Sequence, residues 1–158
     1  MNKFLLAILL TLLPLVELRG GLPLALISAS EAGVPLTLAF FGIVFLNILV
    51  VFFVFFFLDN FHEKFMNYKF YKNFYNFSLR KMQKRITKFE KAHSDVGILA
   101  LFLFVAIPLP GTGVYSGAFL SWLLNLERKK SLFAISFGVF IAGLIIFLGT
   151  LGIFSFKI

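Results

Sequence analysis

Apolar residues fill this chain in long runs, and the residues that punctuate the runs set the elements. Leu36 to Leu58 carries no charge over 23 residues, and Leu132 to Phe156 none over 25. At the helical rise each covers roughly 35 Å, enough to cross a bilayer with some tilt. Two further runs are interrupted. Val96 to Ile107 and Val114 to Asn125 have twelve residues each, short of the roughly 20 that a span needs. Between them lie Pro108, Pro110, Gly111 and Gly113. The prolines remove donors and push their neighbours out of the helical region, and the glycines allow backbone angles closed to other residues. The stretch Phe4 to Val16 and the stretch Pro23 to Ser28 flank a comparable interruption, Glu17-Leu18-Arg19-Gly20-Gly21-Leu22-Pro23. The pattern predicts a re-entrant hairpin over 4–28, a span over 36–58, a polar linker over 59–95, a second hairpin over 96–125 and a second span over 132–156. Broken backbone at membrane depth needs protein or water to satisfy it, so both breaks are expected to line a cavity.

Composition fixes the class. With 60% hydrophobic residues, 24 phenylalanines and a mean hydropathy of +0.97 in 158 residues, the chain has too little polar surface to bury its apolar surface in water. It reads as an all-α integral membrane protein with a single membrane domain over 1–158. Lys3 ahead of Phe4 to Leu13 has the look of a secretory signal, but no small-residue cleavage site follows closely, and the segment is read as retained. There is no cysteine, which removes thiolate chemistry and cysteine-held metal.

The net charge of +8 changes the picture only through its placement. Nine of the fifteen basic residues lie between Asp59 and Asp95. There aromatic residues alternate with lysines, and then Leu79, Met82, Ile86 and Phe89 recur at helical spacing among Arg80, Lys81, Lys84, Arg85 and Lys88. An interfacial amphipathic helix on anionic lipid is the expectation, with no nucleic acid as partner. His62 and His93 lack ligand-like spacing, and no metal or cofactor is expected. If both hairpins return to the side they entered, the linker and the loop Glu127-Arg128-Lys129-Lys130 share the cytoplasmic face of the inner cell membrane, and both termini lie outside. The two halves would then be inverted repeats with tips meeting near the midplane.

Candidate chemistry gathers at those tips. Glu17 and Arg19 are the ionisable residues expected at depth, where a charge is costly and therefore a functional hypothesis, the bland alternative being a structural ion pair between them. Helix starts near Leu22 and Val114, with Arg19 and the Thr112 hydroxyl, would suit an anionic group such as a phosphate. Glu17 could carry a coupling proton or attract a cation, because burial disfavours the charged form of a carboxylate. Gly20, Gly21, Pro23, Pro108, Pro110, Gly111, Gly113, Tyr115 and Gly117 complete the candidate site. Asn47 is read as an interhelical hydrogen bond. Ala134, Gly138 and Ala142, like Gly113, Gly117 and Ser121, form strips of small residues for close helix contact. Enzymatic chemistry is disfavoured, since no Ser/His/Asp set, HExxH or carboxylate cluster is present. A transporter remains, with a non-transporting structural membrane protein as its rival. Homo-oligomerisation stays open.

The segments Glu17 to Pro23, Pro108 to Gly113 with Gly117, and the small residues through Gly138 and Ala142-Gly143 resemble a family of putative small multi-drug export proteins over nearly the whole chain. The resemblance extends to the wider DedA/VTT superfamily, whose members include lipid-carrier flippases and scramblases. It implies facing re-entrant hairpins, a small-molecule or lipid-phosphate substrate, and transport carried by Glu17, Arg19 and the Pro-Gly break. Tyr115 departs from the tryptophan that many relatives have there.

Overall fold

The computed structural model describes residues 3–14, 16–65 and 94–155, together with 69, 72, 73 and 76 between them. The predicted amphipathic stretch 79–89 lies outside the described residues. Among the described residues, six helices follow in order: α1 (Lys3–Thr11), α2 (Glu17–Ala29), α3 (Leu36–Phe65), α4 (Ser94–Ala106), α5 (Val114–Leu123) and α6 (Arg128–Ser155). No strand occurs among the described residues.

Two of the helices are long and apolar enough to cross a membrane, over Leu36–Asn60 and Arg128–Gly152. Their outward positions are phenylalanines such as Phe53, Phe56, Phe133 and Phe137, each at least 60% exposed, which suits lipid and not water. The other four helices have 9, 13, 13 and 10 residues, so none can span alone.

α2 and α5 end in the same local motif. After α2, Val34 N–H bonds to Ala29 O at 2.9 Å and Gly33 N–H to Ser30 O at 3.2 Å, with Gly33 at φ +67°. After α5, Leu126 N–H bonds to Ser121 O at 3.0 Å and Asn125 N–H to Trp122 O at 3.1 Å, with Asn125 at φ +50°. Both are Schellman ends, closed by glycine in one case and by asparagine, the next most tolerant residue, in the other. A few residues later the long helix of each half begins.

The packing of the halves differs although their order of elements agrees. α1 lies chiefly on α2, whereas α4 lies chiefly on α6. A missing side chain explains each choice. A Cβ on Gly21 would overlap the Thr11 hydroxyl and come 3.0 Å from Ala7 O, and one on Gly138 would come 2.9 Å from Val105 and 3.0 Å from Phe102 O. Gly117 meets Val105 and Ile135 in the same way, and Ala134, Ala142 and Ser121 are buried, so both predicted strips of small residues do pack. Across the halves, α2 touches α6 and α5 touches α3.

Two ion pairs lie beside α3. Beside its start, Lys3 meets Glu31 at 3.0 Å. Beside its end, Arg128 bonds to Asp59 and lies 4.1 Å from the centre of the Phe55 ring. Asn47, buried within α3, donates to Ile43 O of its own helix at 3.1 Å. Among the described residues the expected interhelical bond is not seen: the main-chain carbonyl one turn back is within easy reach of a buried amide.

Candidate functional site

The first break lies earlier in the chain than the glycines and Pro23 suggest. α1 closes with short i to i−3 bonds, Leu12 N–H to Leu9 O and Leu13 N–H to Leu10 O, each 3.1 Å, and Pro14 then supplies no donor. α2 starts at Glu17 and runs through Gly20, Gly21 and Pro23 without ending. The two glycines stay helical because neighbours occupy their side-chain space, Val16 at Gly20 and Thr11 at Gly21. Pro23 costs α2 one internal hydrogen bond and is accommodated. No helix starts at Leu22, so the anticipated pair of convergent helix starts there and at Val114 is replaced by starts at Glu17 and Val114.

The second break falls where its residues place it. Leu109 N–H bonds to Ile107 O at 2.8 Å around Pro108, a γ-turn. Thr112 N–H then bonds to Leu109 O at 3.1 Å, with Pro110 second in the turn and Gly111 third at φ +82°, the arrangement of a type II turn. The Thr112 hydroxyl stitches the loop, lying 2.7 Å from Ile107 O, 2.9 Å from Leu109 O and 3.2 Å from Leu109 N–H.

Three side chains join the two breaks. Glu17, only 5% exposed, accepts from Val114 N–H at 3.2 Å and from Tyr115 N–H at 3.3 Å. It thereby caps α5, whose own N-cap residue Gly113 has no side chain to do so. Gly113 must be glycine for this: a Cβ would overlap the carboxylate, the farther oxygen still only 2.8 Å away. Arg19 donates to Thr112 Oγ1 at 2.7 Å. Tyr115 O–H donates to Leu12 O at 2.6 Å, satisfying a carbonyl freed at the end of α1.

Glu17 and Arg19 do not form the ion pair of the bland alternative, since no Glu17–Arg19 contact within 4.0 Å occurs. Two residues apart on a helix, their side chains diverge, and each finds its partner about 95 residues away. Nor is the Thr112 hydroxyl free for an anion, being shared by the loop and Arg19. Among the described residues, Glu17 is one of two non-glycine residues with positive φ, at +47°.

Beside the carboxylate lies a cavity of about 10 Å³ bounded by Glu17, Leu18 and Arg19 of α2, Asn47 of α3, Val105 of α4, and Val139 and Ala142 of α6, room for about one water. Asn47 and the Leu12 carbonyl are the members that sequence reasoning did not place here. Pro108, Pro110 and Gly111 shape the second break without touching the carboxylate, and Gly117 belongs to helix packing. Among the described residues no three metal-ligating side chains gather at one point.

Two helices long and apolar enough to cross a membrane and two broken helical pairs, tied together at their breaks, define an all-helical protein with two candidate spans. The chain belongs to the family described as Putative small multi-drug export protein, whose profile matches residues 17–145, from the capping glutamate into α6. No curated protein and no solved structure matches it.

Proposed function

We propose that this protein is a membrane exporter whose passage runs between the two breaks, with Arg19 receiving an anionic group of the substrate and Glu17 serving as the coupling group. The observation that carries the reading is the meeting of the breaks. Interrupted helices inside a membrane protein are kept where a polar route needs irregular backbone, and here both interruptions face each other through Glu17, Arg19 and Tyr115. Arg19 is half-buried and, among the described residues, holds one hydroxyl but no carboxylate within 4.0 Å. An anion is the complement its remaining donors lack.

The re-entrant inverted repeat belongs to the same proposal. Lys3 at the start of α1 pairs with Glu31 just beyond α2, and Gly97 near the start of α4 lies against Leu126 just beyond α5. These contacts support a path in which each broken pair returns to the side it entered. Lys3–Glu31 lies by the start of α3, while Asp59–Arg128 and Asp95–Lys130 lie by its end or by the start of α6, which supports entry from opposite faces. The basic 59–95 linker then faces the cytoplasm and the termini face outward across the inner membrane. The plan is similar to that of the DedA/VTT superfamily, which makes a lipid phosphate the second substrate class to test beside small drugs.

A reconstituted flux assay comparing a lipid phosphate with cationic dyes tests this. Arg19→Gln should lower flux of an anionic substrate at least tenfold, the order of one charge-assisted hydrogen bond, with the fold intact. Glu17→Gln should remove the pH dependence of flux. A double variant that is stable and fully active overturns the proposal, and one that is stable and inactive supports it.

A further inference from the structure

A second place on the molecule has the shape and charge of a ligand site, away from the breaks and independent of the transport reading. Between α4 and α6 runs an open groove of about 470 Å³. Its walls are Ile98, Leu99 and Phe102 on α4 and Phe133, Ala134 and Phe137 on α6. The floor is low because Gly138 lets α4 approach, with Val105 and Phe102 O against the missing side chain. The Phe133 ring, 79% exposed, stands up as one bank.

One end of the groove is charged. Lys130 Nζ lies 3.3 Å from Asp95 Oδ1 and 3.2 Å from Glu127 Oε2. Two carboxylates therefore share one ammonium, and both are more than half exposed, so acceptor capacity is left over. Lys129, also exposed, is the next residue along. A headgroup that complements this end carries an ammonium with N–H donors for the two acids and, one short linker away, an anion for the lysines. An apolar tail then follows the phenylalanines.

We infer that the α4–α6 groove is a binding site for one phospholipid with a primary-amine headgroup, a phosphatidylethanolamine, its ammonium between Asp95 and Glu127 and its phosphate toward Lys129 and Lys130. Phosphatidylcholine has the same charges but no N–H to donate, and phosphatidylglycerol has no cation. Choline therefore cannot donate to the two carboxylates, and glycerol brings them no positive charge.

The absence of cysteine gives a local probe. Phe133→Cys, a change at an exposed bank of the groove, is labelled with a fluorophore, and the full chain is reconstituted in phosphatidylcholine. A minor fraction of lipid with brominated chains, bearing ethanolamine, choline or glycerol headgroups, is then added. Quenching by the ethanolamine lipid should reach its midpoint at a fraction about fivefold lower than for the choline lipid. Asp95→Asn with Glu127→Gln, both at exposed positions, should make the two midpoints equal. Equal midpoints in the unchanged protein mean ordinary lipid contact and overturn the inference, as does preference for the glycerol lipid. Absence of quenching by any lipid means that protein covers the groove, from this chain or a second copy, and overturns it too.

Discussion

Replacing Gly113 with alanine tests the tie between the two breaks most sharply. The added methyl would overlap the Glu17 carboxylate, and backbone on one side with a buried side chain on the other leaves the carboxylate to move. Its bonds to Val114 and Tyr115 N–H, at 3.2 and 3.3 Å, would both be lost. Hydrogen bonds to a charged group contribute about 1.5–3 kcal/mol each, and these are long, so the lower figure applies and the pair amounts to about 3 kcal/mol. The displaced carboxylate stays in a largely apolar interior, which adds to the loss.

The size of this effect should depend on Glu17 being there. With Glu17→Ala already in place, the methyl of Gly113→Ala meets empty space, and its cost falls to about 0.5–1 kcal/mol, the ordinary preference of an N-cap for glycine over alanine. The coupling energy between the two positions is then about 2 kcal/mol. Reversible unfolding of the four proteins in mixed micelles measures it as a double-mutant cycle. A coupling below about 0.5 kcal/mol would refute the reasoning, because it would mean that Gly113 is tolerated or required for reasons unrelated to the carboxylate.

Other outcomes follow from neighbouring contacts. Tyr115→Phe removes the donor to Leu12 O and should cost about 1 kcal/mol, seen in the same unfolding measurement and as faster hydrogen exchange at the end of α1. Gly21→Ala should detach α1 from α2, because the methyl would meet Thr11 and the Ala7 carbonyl; protease access to the first turn of α1, with α3 to α6 still folded, reads this. Cysteines placed singly at Lys3 and Lys129 should react with a membrane-impermeant reagent from opposite sides of sealed vesicles, and labelling from one side only would sink the proposed topology.

The long helices were legible because an uncharged run of 23 residues or more has few other destinies, and the second break because Pro108, Pro110 and Gly111 specify a turn wherever they are put. The first break was misread for a physical reason. Gly20, Gly21 and Pro23 look like helix breakers when propensity alone is weighed, yet α2 continues through them, since tertiary packing of α1 onto Gly21 repays the entropy that the glycines lose. Pro14, a single residue within an apolar run, did the breaking. Glu17, Arg19 and Thr112 stand out in the sequence as polar residues at the two breaks, and the structure brings those breaks together through them. Their partners were not recognisable. The natural guess joins residues two apart, and the structure joins residues 93 and 97 apart, a choice made by the way the halves dock.

That docking also explains why two halves with one plan are not equivalent. Both inner arms end in the same αL motif, at Gly33 and Asn125, and both turn into a long helix. What differs is where the missing side chain lies that lets an outer arm approach: in α2 at Gly21 for the first half, in α6 at Gly138 for the second. α1 therefore follows α2, and α4 follows α6. The consequence reaches both sites. The first half delivers its break, with Glu17 and Arg19, as a compact pair onto the start of α5. The second half, with α4 drawn toward α6, leaves a groove on its outer side ending at Asp95 and Lys130. Two halves with the same order of helices thus pack differently, through one glycine in each half.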